Sequence, residues 1–290
     1  MLGITRLRKC LFCGNVLRPS RCKLSGHTDE HIVGRWLMGH LGIQRLVVTP
    51  MRVDTASRRV MDIRQHNLGS LVAGTVCGRC NNGWMSQLEV SAKPLLTRLI
   101  ADPRSLPQLS VEEKSSVARW AFKTVAALNR ASTHGRLGDN LARPIPDEHL
   151  RQIASGNVPE DVIVVGGGYA FQKPLDWLQF ATWAIPANSM PLSATDRERS
   201  YKIAIGIREL MLGVAFYPSA EYVYGGIEGC HVPLWEGRKG LSRVSQPIDT
   251  SITGAGSPAM EYFVRNIFVV SRTWLALASN VSTTRLILSP

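Results

Sequence analysis

The sequence predicts an α+β fold: an N-terminal motif clamped by cysteine pairs, then helices, then an antiparallel sheet. Three observations carry this. Two C-x-x-C pairs, Cys10–Cys13 and Cys77–Cys80, bracket the first third of the chain. Helical periodicity runs through residues 110–131 and 146–156. From residue 161 onward the pattern turns to β-branched, apolar runs such as DVIVVGGGY, WLQFATWAI and SYKIAIGIRELMLGVAFY. With 290 residues there is room for two domains. The expected division is a motif domain over 1–100, a linker over 101–109 and an α+β domain over 110–290.

Composition sets the limits. The chain is 44% hydrophobic and 19% charged, which excludes disorder throughout. No stretch of 18 apolar residues occurs, so no membrane span is expected. The start, MLGITRLRKCLFCG, lacks the apolar run of a secretory signal, and a cytoplasmic protein is the expectation. The net charge of +12 is unevenly spread. Of 34 basic and 22 acidic residues, 15 basic but only 5 acidic ones fall in positions 1–100. A basic segment rich in arginine suits a polyanion, nucleic acid above all.

Taken in order, residues 1–24 form a basic arm with the first cysteine pair. Residues 31–41 read as a short helix ended by Gly42. Residues 43–53 and 58–64 read as a hairpin turned by Asp54-Thr-Ala-Ser. It carries Arg45, Arg52, Arg58, Arg59 and Arg64, a phosphate-tracking surface or else a plain solvated face. Residues 71–77 are a strand leading into the second pair. Residues 81–100 are a helix, kinked or restarted near Pro94. The proline-rich ADPRSLPQ marks the linker. Ser110 and Glu113 then form a capping box, opening a helix with an apolar stripe at Val117, Trp120, Ala121, Val125 and Leu128. Pro146 to Gly156 is another helix, with His149 on its exposed side. Gly166-Gly167-Gly168 follows a strand without a G-x-G-x-x-G pattern, so no nucleotide loop is expected.

The chemistry lies between and beside the cysteines. Each C-x-x-C is followed by a turn former, Gly14 or Asn81, and sets two thiolates on one side of a tight turn. Two such knuckles, Cys10, Cys13, Cys77 and Cys80, complete a four-sulfur structural zinc site. Cys22 and Cys230 lack partners at ligand spacing, although Cys22 is a possible substitute in the site. The span between the knuckles holds Glu30-His31, a hard oxygen donor beside an imidazole. The second knuckle continues as Asn81-Asn82-Gly-Trp84-Met-Ser-Gln-Leu-Glu89. Trp36 and Trp84 sit on apolar faces and read as core residues, and His27 as a surface loop residue.

In this order of parts (C-x-x-C, E-H-I-x-x-x-W-L, C-x-x-C-N-N-G-W-M) the chain resembles the HNH, or ββα-metal, endonuclease superfamily, in its zinc-finger-containing branch. The likeness covers about residues 10–90. It implies a zinc-clamped, treble-clef-like ββα motif. It implies His31 as the general base and Glu30 as a ligand of a catalytic divalent cation. Asn81 is implied as the second ligand, with Asn82 one register away. Glu and Asn leave most coordination positions open, which suits Mg or Mn. The superfamily's orienting Asn is missing: Val72 stands nine residues before Asn81. Asn67, His66 or a backbone carbonyl is left to hold the imidazole.

The expected function is therefore a metal-dependent endonuclease acting on DNA, with RNA not excluded. The alternative is a non-catalytic zinc-knuckle nucleic-acid-binding protein. Residues 110–290 carry no motif; a DNA-positioning module, a homodimer contact and a partner-sensing domain are the roles open to them.

Overall fold

A computed structural model describes residues 8–17, 26–48, 51–53, 60–63, 65–129, 145–168, 176–183, 194–218, 222–244 and 268–271. Its first third contains β1 (His27–His31), α1 (Arg35–Leu41), β2 (Val47–Val48), β3 (Met51–Val53), β4 (Val60–Ile63), β5 (His66–Asn67) and β6 (Val72–Cys77). β1 and β6 pair antiparallel, with His27 opposite Cys77 and His31 opposite Val72. A bulge lies between Thr28 and Glu30.

Two expectations are corrected here. The helix expected from residue 31 begins at Arg35, because His31 is still paired in β1 and the Ile32 N–H donates to the Leu71 carbonyl. It ends at Gly42, whose positive φ of 73° closes the last turn. The expected hairpin is split. β3 pairs with β4, while β2 leaves that hairpin and pairs with β5. The stretch before β2 is a turn tied to Leu68 by its N–H bond to the Leu46 carbonyl.

β6 runs straight into a helical segment made of α2 (Gly78–Cys80), a wide turn over Asn81–Met85 and α3 (Ser86–Ala101). The irregularity expected at Pro94 sits instead at Gly83, whose φ and ψ of −94° and −111° are non-helical. α3 passes through Pro94, whose side chain is exposed. The missing N–H is thus lost on the solvent side, where it costs least.

The segment expected as a linker forms a 3-10 turn over Pro103–Gln108 with Pro103 and Leu106 buried. The Asp102 carboxylate caps it, accepting from the Arg104 N–H at 3.2 Å. This turn explains two glycines of the triplet. A Cβ on Gly166 would meet the Leu106 side chain at 2.8 Å, and one on Gly168 would meet Pro103 at 2.9 Å. The triplet is a place of close packing within a strand.

α4 (Val111–Asn129) starts on the expected capping box. The Glu113 N–H donates to Ser110 Oγ at 3.2 Å, and the Ser110 N–H donates to Glu113 Oε2 at 2.8 Å. Every residue from Val117 to Leu128 is buried except Arg119. The helix lies between α3 on one side and sheet strands on the other. α5 (Asp147–Ala154) follows. Here His149, expected to be exposed, is buried at 4%. Its ring packs edge-on against Phe216 at 4.7 Å, with Nδ1 3.2 Å from the Tyr201 hydroxyl and Nε2 3.0 Å from Asp161 Oδ1.

The remaining elements are β7 (Val162–Gly168), β8 (Leu178–Trp183), α6 (Ala194–Arg199), β9 (Tyr201–Ile207), β10 (Leu210–Phe216), β11 (Tyr222–Ile227), β12 (Val232–Trp235), β13 (Leu241–Val244) and β14 (Phe268–Ser271). Five form an antiparallel sheet in the order β12-β7-β10-β9-β8. Three form a mixed sheet, β13-β11-β14, in which β11 and β13 are parallel. The fold is mixed helix and sheet. One continuous core runs from Cys10 and Phe12 through Leu88, Leu96, Trp120 and Val125 to the strands and Leu234. Among the described residues no helix is long and apolar enough to cross a membrane.

Candidate functional site

The two knuckles meet. The sulfurs of Cys10, Cys13, Cys77 and Cys80 all lie within 4.8 Å of one another, and Cys13 Sγ is 3.7 Å from Cys77 Sγ. The first knuckle is a tight turn: the Gly14 N–H donates to the Cys10 carbonyl at 2.9 Å and the Cys10 N–H to the Asn15 carbonyl at 2.7 Å. The second lies where β6 enters α2, and the Gly78 N–H donates to the Gly26 carbonyl at 3.1 Å, just ahead of β1. Backbone amides also point at sulfur, as the Cys77 N–H does to Cys10 Sγ at 3.3 Å. A hydrogen bond from the Cys80 thiol, helped by the amides of Cys13, Cys77 and Phe12, brings Cys10 down to about 4. Cys80 is pushed up by its bond to Cys10 and by burial. Four sulfurs at this spacing could hold a metal ion such as zinc, with no open position left for substrate. Phe12 stacks edge-on to Trp84 at 5.3 Å beneath the cluster. Trp36 and Trp84 are partly buried and pack on the core, and Trp36 also has a polar task described below.

Glu30 and His31 close β1. Glu30 is 8% exposed, and His31 is half-buried. Burial lowers the His31 pKa, and the Arg35 charge adds to this against the opposing pull of Glu30 and Asp29. The imidazole is therefore neutral over most of the physiological range. Asn81 reaches back to β1, its Nδ2 donating to Thr28 Oγ1 at 3.1 Å. Thr28 in turn donates to the Val76 carbonyl across the strand pair at 3.0 Å. Asn81 is half-buried and Asn82 exposed. The structure thus brings Asn81 to the strand that carries Glu30 and His31, through Thr28. His66 and Asn67 sit in β5, paired with β2, whereas Val72 lies directly across from His31.

Glu30 has a partner that sequence reasoning missed. Lys123, fully buried on α4, places Nζ 2.6 Å from Glu30 Oε1 and 2.8 Å from Glu89 Oε1. Glu89, on α3, also accepts from the Trp120 indole N–H at 3.1 Å and from that of Trp36. Burial alone would push Lys123 down and Glu89 up. The mutual charges outweigh it, so Lys123 lies above and Glu89 below its ordinary value. Gly34 makes the approach possible, since a Cβ there would meet Glu89 Oε2 at 2.7 Å. The available signal was a lone lysine inside the apolar run WAFKTVAAL. A charge at the centre of a buried helix demands a countercharge from elsewhere in the fold.

Of the basic residues assigned to the hairpin, Arg45 is exposed in the turn before β2. Arg52 lies on β3, but its side chain falls outside the described residues, as do Arg58, Arg59 and Arg64. Cys22 also lies outside them. Comparison with protein families, curated proteins and solved structures finds no match for this chain.

Proposed function

We propose that the protein is a metal-dependent endonuclease of the HNH type, hydrolysing DNA phosphodiester bonds. The observation that carries this reading is the antiparallel β1–β6 pair running directly into a helix, with four cysteines gathered at its base. Glu30 and His31 sit on the first strand, and Asn81, at the helix start, is hydrogen-bonded to that strand. A carboxylate, an imidazole and a carboxamide thus share one strand–helix junction, in the motif order read from the sequence.

Glu30 and Asn81 fit a hard divalent cation such as Mg or Mn. The Asn81 amide nitrogen is engaged by Thr28, which leaves its oxygen as the donor. Glu30 and Glu89 share the single charge of Lys123, so the cluster retains one net negative charge. Bound there, the cation would supply charge neutralisation at the scissile phosphate. The neutral His31 accepts a proton from the attacking water. Water oxygen bonds to phosphorus as the bond to the 3′ oxygen breaks, and that oxygen leaves with a proton as a 3′-hydroxyl. Of the groups left to orient the imidazole, His66 and Asn67 lie on β5 paired with β2, while Val72 of β6 has its backbone across from His31. The zinc knuckles would hold β1 and the helix start in register.

One observation favours the second reading, a non-catalytic zinc-knuckle binding module: Glu30 is nearly enclosed and ion-paired with Lys123. Plasmid cleavage separates the two. With Mg or Mn the full chain should nick or linearise plasmid DNA, and EDTA should stop it. His31→Ala should lose at least about a hundredfold in rate, the usual worth of a general base, with zinc content and DNA retention unchanged. Metal-independent cleavage, or equal cleavage by wild type and His31→Ala, would overturn the proposal. Retention of DNA without cleavage would favour the binding module.

A further inference from the structure

We propose that Lys123 and Glu89 are positioning residues for the cation site, setting the place of the Glu30 carboxylate and the net charge of the cluster around it. This rests on the reading of Glu30 as a cation ligand, and deepens it.

The two carboxylates of the cluster are not alike. Glu89 is saturated: two indole N–H groups and the ammonium donate to it. Among the described residues, the polar contact of the Glu30 carboxylate is with Lys123 alone, through Oε1. Glu30 is therefore held by one oxygen, at the inner edge of β1, from an element more than ninety positions away in sequence. A buried Lys–Glu pair is complete by itself, and a second carboxylate on the same ammonium leaves one negative charge in a poorly solvated place. Tryptophan donors settle Glu89, so the unbalanced charge belongs to Glu30, which stands beside His31 on β1 and whose second oxygen has no partner among the described residues. A divalent cation on the second Glu30 oxygen balances it. Lys123 fixes Glu30 Oε1 in place, and Glu89 prevents Lys123 from cancelling Glu30 outright.

Counting charges gives a test that a merely structural role does not pass. Glu89→Gln keeps the shape but takes the cluster from one negative charge to none. Lys123→Met in the Glu89→Gln background returns it to one negative charge. Mn binding to the full chain is read by electron paramagnetic resonance, without DNA, beside Glu30→Gln as the ligand control and thermal melts as the check on folding. The expected results are a rise in the Mn dissociation constant of about tenfold for Glu89→Gln and recovery to within about threefold of wild type in the double variant. An unchanged constant in Glu89→Gln, or no recovery in a folded double variant, would overturn the proposal while leaving the cation reading intact if Glu30→Gln abolishes binding. If the double variant does not melt cooperatively, the Glu89→Gln constant decides. If wild type binds Mn no better than Glu30→Gln, the cation reading and this proposal fall together.

Discussion

Asp161 and Lys123 show how single residues carry long-range constraints. Asp161 is partly exposed, and burial acts to raise its pKa. The hydrogen bond from His149 and the charge of that ring outweigh burial and hold it below the ordinary carboxylate value. The unfolded chain therefore takes up a proton near pH 4 that the folded chain refuses. This stability is fully present above that value and is lost as pH falls through the lower, folded one. Asp161→Asn should be less stable than wild type at pH 7 but lose less on acidification from pH 5 to 3, as followed by circular dichroism melts. An unchanged acid limb would remove Asp161 from the account. Neither Lys123 nor His149, the partner of Asp161, had a role readable from its neighbours. His149 sits in a helix rich in charge, DEHLRQIA, and its burial comes from Phe122, Tyr201 and Phe216, which arrive from other elements. Lys123 was hidden for the opposite reason, inside an apolar run that an amphipathic reading treats as core.

At the level of elements, what local chemistry dictates was legible and what partners dictate was not. The knuckles could be read because two residues between cysteines fix the sulfur geometry without outside help. The capping box of α4 could be read because Ser110 and Glu113 satisfy each other's backbone groups. β1 could not: HTDEH has no apolar alternation, and it is a strand because β6 pairs with it, Asn81 bonds Thr28 and Lys123 of α4 meets Glu30. The expected helix start at residue 31 failed for that reason. The cysteine cluster joins these elements, so it should be worth several kcal/mol of stability once metal is bound. Metal analysis of the purified protein should find about one zinc per chain. Cys77→Ser should lose that zinc and melt at least about 5 °C lower. A zinc-free protein with wild-type stability would refute the assignment.

For the molecule as a whole, sequence suggested two units with a proline-rich joint, and the structure runs one core through that joint. Leu106 and Pro103 press on β7, Arg98 of α3 pairs with Glu113 of α4 at 2.9 Å, and Lys123 reaches from α4 to β1. A chain ending at residue 109 would keep the knuckles but lose α4, which packs on α3 and supplies Lys123 to Glu30 and Glu89. Exposing buried leucines of α3 such as Leu96 and Leu99 costs about 1.5–3 kcal/mol for each side chain, a large share of a small domain's stability. Residues 1–109 should therefore show no cooperative thermal transition even with zinc, whereas the full chain should melt in a single one. A sharp, zinc-dependent melt of the short chain would show that the first third folds alone.

The spacing of the knuckles has a separate consequence. Cys13 and Cys77 are neighbours in space but 64 positions apart in sequence. The chain between them is pinned at the sulfur cluster, at β1 and at β6. The entropy of closing a loop grows only with the logarithm of its length, about 0.6 kcal/mol for each doubling. Residues added between β2 and β5 would thus barely disturb the clamp or the strand pair. That excursion is where the chain can acquire or shed sequence at little thermodynamic cost, and a change in what the protein recognises could arise there while Glu30, His31 and Asn81 stay where they are.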